Sequence, residues 1–170
     1  ALKRLIKSPF RFTYGLSLAI RDAAFARVSR PSDRPKLIWH FFMGCFLAER
    51  AERAGARHIH ANFAHVPTSI AMYAGAVSGI PYSFLCHAHD IFVNGSALKE
   101  KVARSAFATG SSNFNVRFLT DRGCDPRKLW VFRTGVDFDE FPLRNPKPYE
   151  TPPRILSVAG LREKKGHRYL

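Results

Sequence analysis

The stretch YSFLCHAHDIF, residues Tyr82 to Phe92, decides how the rest of the chain reads. Tyr82, Phe84 and Cys86 alternate with Ser83, Leu85 and His87. The segment is short and aromatic, with Pro81 before it and a polar His-Ala-His-Asp run after it, which predicts a buried strand over Tyr82 to His87. Two imidazoles and a carboxylate, His87, His89 and Asp90, then gather where the strand ends. In open α/β sheets ligands bind outside the carboxyl ends of the strands, where loops and helix N-termini line a crevice. Any chemistry in this chain is to be sought there first.

Reading outward from that strand, apolar runs and helical patterns alternate. The spacing predicts strand His58 to Phe63, helix Thr68 to Ser78, strand Tyr82 to His87, helix Ala97 to Arg104, strand Ala106 to Thr109, helix Asn113 to Arg122 and strand Leu129 to Phe132. Ser112 is a suitable N-cap and Gly123 a suitable stop. This βα rhythm with short connections predicts an α/β fold, a Rossmann-like parallel sheet with helices on both faces.

Upstream, two longer helices are predicted. The first, Pro9 to Val28, has Ser8 as N-cap and Phe10, Tyr14, Leu18, Phe25 and Val28 at helical spacing. The second, Lys36 to Ala54, carries more apolar residues than one core face requires and stops at Gly55. Either their apolar faces pack against the sheet and each other, or they form an in-plane membrane-surface element.

The chain has 170 residues and a net charge of +14, from 27 Lys and Arg against 13 Asp and Glu. Up to Arg57 there are twelve basic and four acidic residues. Such an excess points to a polyanionic partner or to a solvated helix surface. With 46% hydrophobic and 13% aromatic residues the chain is not a disordered polyelectrolyte. Cys45, Cys86 and Cys124 are widely spaced, which argues against a disulfide framework or zinc ribbon and for a reducing compartment. No apolar run approaches the roughly 20 residues of a membrane span. No helix-turn-helix, zinc-finger, RNP-type or KH-type pattern supports nucleic acid as the partner.

Beyond Val136 the texture changes. Pro142, Pro146, Pro148, Pro152 and Pro153 predict a stiff linker over 142–153, after which Arg154 to Val158 reads as the first strand of a second domain. Residues 1–141 then form the first domain and 154–170 the start of another. The beginning at Ala1 and the end inside an opening helix suggest a piece of a longer protein.

The blocks HIHANFAHVPTSIAMYAG (His58 to Gly75), GIPYSFLCHAHDIF (Gly79 to Phe92), SSNFNVRFL (Ser111 to Leu119), LWVFRTGVDFDEF (Leu129 to Phe141) and RILSVAGLREKKG (Arg154 to Gly166) together resemble the family 4 retaining glycosyltransferases of GT-B architecture, in particular those that build exopolysaccharides of the colanic acid type. The resemblance implies two Rossmann-like domains facing across a cleft, the first for the acceptor and the second for a nucleotide-sugar. This chain would supply the later part of the acceptor domain and the start of the donor domain.

It further implies transfer of a hexose, with retention and without metal or cofactor, onto a growing, lipid-linked saccharide or an oligosaccharide. It implies a cytoplasmic enzyme peripheral to the inner membrane, with an anionic membrane surface as partner and no nucleic acid. His87 matches the histidine that reaches the donor sugar. It is otherwise a strand-end histidine satisfied by backbone groups. Asn62, His65, His89, Asp90, Gly135 and Asp137 fall on substrate-binding positions, although Asp90 equally suits a turn cap.

AGLREKKG matches a turn whose arginine and lysine neutralise the leaving diphosphate. Lys165 matches the lysine, but Gly160 stands where the family has arginine, leaving Arg162 as the substitute. A degenerate, non-catalytic member, or a basic α/β domain that binds membrane or nucleic acid, is the alternative reading. A metal site on His87, His89 and Asp90 is disfavoured, because Ile91 and Phe92 occupy the positions where H-x-H-x-D-H would need ligands.

Overall fold

A computed structural model describes residues 7–142, 152 and 154–169. The chain divides into two units, Ala1–Thr134 and Gly135–Leu170. The first is a mixed α/β, Rossmann-like unit. In chain order it comprises α1 (Pro9–Phe25), α2 (Asp33–Arg53), β1 (Ile59–Ala61), α3 (Val66–Ser78), β2 (Tyr82–Cys86), α4 (Ala88–Phe92), α5 (Leu98–Arg104), β3 (Phe107–Gly110), α6 (Asn113–Asp121) and β4 (Leu129–Val131). The four strands form one parallel sheet in the order β1-β2-β3-β4.

The register explains where the helices lie. Ala61, Phe84 and Ala108 are aligned across β1, β2 and β3, with Leu129 beside Ala108. These residues are buried with Met72, Tyr73 and Val77 of α3, Leu98 and Val102 of α5, and Leu119 of α6. Residues one step along the strands point to the other face, and there His60 and Phe107 are exposed and Trp130 is 63% exposed. Helices flank the parallel sheet, as the βα rhythm of the sequence predicts.

The helix ends follow local chemistry. Ser112 Oγ accepts the Asn115 N–H at 3.2 Å, and α3 ends at Gly79 with φ 82°. A Cβ there would also press on the Arg11 guanidinium, which donates to the Ser78 carbonyl.

Helix α1 turns its predicted stripe outward. Phe10 and Phe25 are 88% and 82% exposed, while Phe12, Gly15, Ala19 and Asp22 are buried. The reason is proximity: a Cβ on Gly15 would lie 2.7 Å from Val77 Cγ1, and one on Gly44 of α2 would lie 2.9 Å from the backbone of α3. These glycines make room for close approach, and the interface is filled by Phe12, Phe41 and Tyr73, whose rings pack edge to face at 5.2 and 6.2 Å, while Phe10 and Phe25 stay outside. Helices α1, α3 and α5 are pinned by Asp22, whose carboxylate receives both Arg104 Nη atoms at 2.6 and 2.7 Å and the Tyr73 hydroxyl at 2.9 Å.

In the second unit no strand forms over Arg154 to Val158, and Ile155, Leu156 and Val158 are exposed. A strand needs a ladder partner for its backbone groups, and the described residues of this unit contain no other strand. Its regular structure is two 3₁₀ turns, Glu163–Lys165 and His167–Tyr169. The predicted linker lies largely outside the described residues, at 143–151 and 153. The unit boundary falls at Thr134 rather than 141, just after the last ladder bond from the Phe132 N–H to the Gly110 carbonyl.

Replacing Asp22 with Ala leaves the Arg104 guanidinium and the Tyr73 hydroxyl without their shared acceptor. The expected loss is about 3 to 5 kcal/mol by chemical denaturation, with part of it recovered in Asp22→Leu/Arg104→Met, where both charges are gone.

Candidate functional site

The carboxyl ends of β1 and β2 lie side by side, and the loops that leave them carry most of the candidate residues. Beyond β2 the chain does not run on as a loop but turns at once into α4, with His87 in the N-cap position and an extended backbone. His87 and Asp90 stand in the reciprocal arrangement of a capping box. The arm from Asp90 is formed, its two oxygens accepting the His87 N–H at 3.2 and 3.1 Å. The ring's arm falls short of a hydrogen bond.

Asp90 Oδ2 also accepts the Ala64 N–H at 2.6 Å, and the residue is 1% exposed. Asp90 is therefore a structural cap, and the substrate-binding assignment of this carboxylate is corrected: its oxygens are spent on backbone donors inside the protein.

The same loop is held from its other side by Lys101. This lysine is 1% exposed, and its Nζ donates to the carbonyls of Ala64 at 2.7 Å, Ser96 at 2.8 Å and His65 at 3.0 Å. Three acceptors match the three protons of an ammonium. Burial pulls the Lys101 pKa down to about 7, partly opposed by the negative charge of Asp90.

On this frame stand three rings in a row. Phe63 is stacked on His65 with centroids 5.5 Å apart and tilted against His87 at 5.5 Å. Phe63 is 43% exposed and the two histidines are half-buried. His65 is the N-cap of α3, and its Nδ1 accepts the Val66 N–H at 2.7 Å, so the ring proton sits on Nε2. Burial lowers its pKa, with Asp90 opposing. Asn62 is exposed at the end of β1. His89 is exposed one step out, with Nε2 3.1 Å from Asn94 Nδ2. Such a surface presents aromatic faces flanked by a few polar atoms, the usual lining of a small-molecule site.

His58 and His60 both reach one hydroxyl: Ser83 Oγ lies 2.7 Å from His58 Nε2 and 2.9 Å from His60 Nδ1. His58 is also stacked against Phe107, with centroids 6.1 Å apart. This pair braces the open face of the sheet. Among the described residues no group of three or more His, Cys, Asp or Glu side chains is arranged to hold a metal ion.

The other candidates belong to the second unit. Gly135 is exposed. Asp137 builds a turn, its Oδ1 accepting the Asp139 N–H and its carbonyl the Phe141 N–H, each at 2.9 Å. Arg162 and Lys165 are exposed and bracket the first 3₁₀ turn, closed by the Lys165 N–H on the Arg162 carbonyl at 2.9 Å. The Gly160 carbonyl accepts from the Arg162 N–H at 2.8 Å and lies 3.1 Å from His167 Nε2.

Sequence reasoning passed over Phe63, His40 and Lys101. The signal for the last two was a polar residue inside a buried stripe: Leu37, His40, Phe41 and Gly44 on α2, and Leu98, Lys101 and Val102 on α5. No family model, curated protein or solved structure matches this chain.

His40 supplies a test of the packing behind the site. Burial, reinforced by the charges of Lys101 and Lys36 and partly opposed by Asp33, lowers its pKa to about 4. The native ring stays neutral while the unfolded chain takes up a proton below about pH 6.5. Stability therefore falls as pH drops from 6.5 towards 4, by up to about 3 kcal/mol from this group. Thermal melts across that range should show a shallower pH dependence in His40→Gln. Parallel curves would mean that another group titrates.

Proposed function

We propose that this chain forms the acceptor side of a retaining, metal-independent glycosyltransferase of GT-B architecture. The enzyme would move a hexose from a nucleotide-sugar to a growing, lipid-linked saccharide of exopolysaccharide or another cell-surface polysaccharide. The observation that carries this reading is the ring row His65, Phe63 and His87 at the carboxyl ends of two adjacent parallel strands. The sequence blocks that resemble the family run through those same loops.

In this reading a sugar lies over the rings, and the His87 imidazole meets a hydroxyl close to where charge develops as the glycosidic bond breaks. Catalysis is then mainly orientation and electrostatic stabilisation. His65 offers Nε2–H as a donor to substrate, Asn62 its amide, and His89 a further contact at the rim. Arg162 and Lys165 would bind the diphosphate of the donor, and Gly135 and Asp137 would add substrate contacts. Gly160 in the place of the family's arginine favours a second reading, a degenerate member that binds saccharide without transferring it.

The proposed workplace is the cytoplasmic surface of an anionic membrane. Among the described residues no helix is long and apolar enough to cross one. Helix α2 nevertheless turns Trp39, Phe42, Met43 and Phe46 to solvent, with Lys36 and Arg50 at the two ends of the stripe and the Arg50 guanidinium 5.2 Å over the Phe46 ring. Aromatic and thioether side chains flanked by cations are the makings of interfacial binding.

Two measurements test these proposals. In the enzyme that carries this domain, His87→Ala should lower kcat about 10²-fold or more. Its melting temperature should barely change, because the formed arm of the cap uses the His87 backbone. His89→Ala should be milder. A destabilised variant with full activity per folded molecule would remove His87 from the mechanism.

Co-sedimentation should require anionic lipid, fade at high salt and weaken in Trp39→Ser/Phe46→Ser. Equal binding to neutral vesicles would refute the membrane assignment.

A further inference from the structure

Between the amino ends of α2 and α3 the first unit forms a half-open cavity of about 190 Å³, walled by Arg30, Lys36, His40, His65, Ser69 and Asn94 among others. We propose that this cavity binds a phosphate group, as the free ion or a monoester. The inference is independent of the transferase reading, since it rests on none of the residues assigned to sugar transfer except the wall provided by His65.

Charge comes first. Asp33 is the acidic residue at the cavity, and its carboxylate is already committed: Oδ1 to Lys36 Nζ at 2.8 Å and Oδ2 to the Ser96 hydroxyl at 2.9 Å. The Arg30 guanidinium has no ion-pair partner among the described residues, and Lys101 behind the wall is held by carbonyls rather than by a carboxylate. The field in the cavity is therefore positive, and its one negative charge is neutralised locally.

Hydrogen bonding points the same way. His40 is 9% exposed, and its Nδ1 is the buried side-chain nitrogen that finds no partner among the described residues. A buried polar atom in a well-packed protein is normally satisfied, and an orphan beside a cavity marks a partner that the protein alone does not supply. Arg30 makes no side-chain hydrogen bond among the described residues, and Asn94 uses its amide nitrogen only towards His89. Ser69 spends its proton on the His65 carbonyl, so the donors left for a ligand are those of Arg30, the remaining protons of Lys36 and the His40 ring. The complementary ligand is a compact anion with acceptors on all sides, and phosphate offers the charge and the fork geometry that an arginine recognises.

The test uses the 170-residue chain with inorganic phosphate, glycerol phosphate and acetate, each against chloride at matched ionic strength. Inorganic phosphate should raise the melting temperature and shift the His40 ring ¹⁵N resonances. Arg30→Gln, an exposed position whose replacement leaves the fold alone, should weaken phosphate affinity about tenfold or more. His40→Gln should weaken it as well, and if that variant melts too early to be measured, Arg30→Gln and the ¹⁵N shift decide. A response to glycerol phosphate in addition assigns a monoester, and a response to inorganic phosphate alone assigns the free ion. No stabilisation by phosphate, equal stabilisation of wild type and Arg30→Gln, an unmoved His40 ring, or acetate as effective as phosphate would each overturn the proposal.

Discussion

The first unit depends on how the peptide of Ala64 is satisfied. This residue is fully buried in the turn between β1 and α3, where neither a sheet neighbour nor water is at hand. Asp90 takes its N–H and Lys101 takes its carbonyl. Two charged side chains from separate elements thus act on opposite sides of one residue, and each is solvated by backbone groups rather than by the other. Burying an ion this way is costly unless its bonds are complete. Here the reward is positional: the turn after β1, the start of α4 and the loop before α5 become one rigid block. Phe63, His65 and His87 inherit their spacing from it.

A second buried charge group ties that block to the outer helices. Asp22 on α1 holds Arg104 of α5 and Tyr73 of α3, and Arg104 also approaches the Met72 sulfur at 3.5 Å. The paired guanidinium and hydroxyl sit among apolar side chains, with the Tyr73 pKa raised chiefly by burial and then by Asp22. The close approach of α1, α2 and α3 leaves no space for a side chain at Gly15 or Gly44. Cys86 and Cys124 are buried, and their thiols are pushed up to about 12 and about 11 by burial, which makes them poor nucleophiles.

Strands β1 to β4 and helices α3, α5 and α6 were legible because they carry apolar runs punctuated by such signals as Gly79, Pro81, Ser112 and Gly123. What could not be read was orientation. On α1 the large residues Phe10, Tyr14 and Phe25 formed the visible stripe, yet packing selected Gly15 and Ala19, because helix contact at short range is decided by what fits rather than by what is most apolar. Helix α4 was hidden for a different reason: His-Ala-His-Asp reads as a loop, and only the bond from Asp90 back to the His87 N–H makes it helical. The roles of His40 and Lys101 depend on elements distant in sequence, to which a local pattern is blind. The run Arg154 to Val158 has the composition of a strand but no partner in its own unit, and composition alone does not supply one.

The two half-buried histidines of the site are not equivalent, and the difference follows from which atoms the fold has already used. His65 serves the fold with its ring, since Nδ1 is bound to the Val66 N–H and caps α3. Its pKa is lowered by burial, so it remains neutral over a wider range and can only donate, from Nε2. His87 serves the fold with its backbone, through the N–H that Asp90 accepts, and its ring completes no hydrogen bond among the described residues. An imidazole in that condition can present either a donor or an acceptor. Of the two, His87 is therefore the one able to change its hydrogen-bonding role as a reaction proceeds, while His65 and Phe63 fix the surface on which the reacting group would rest.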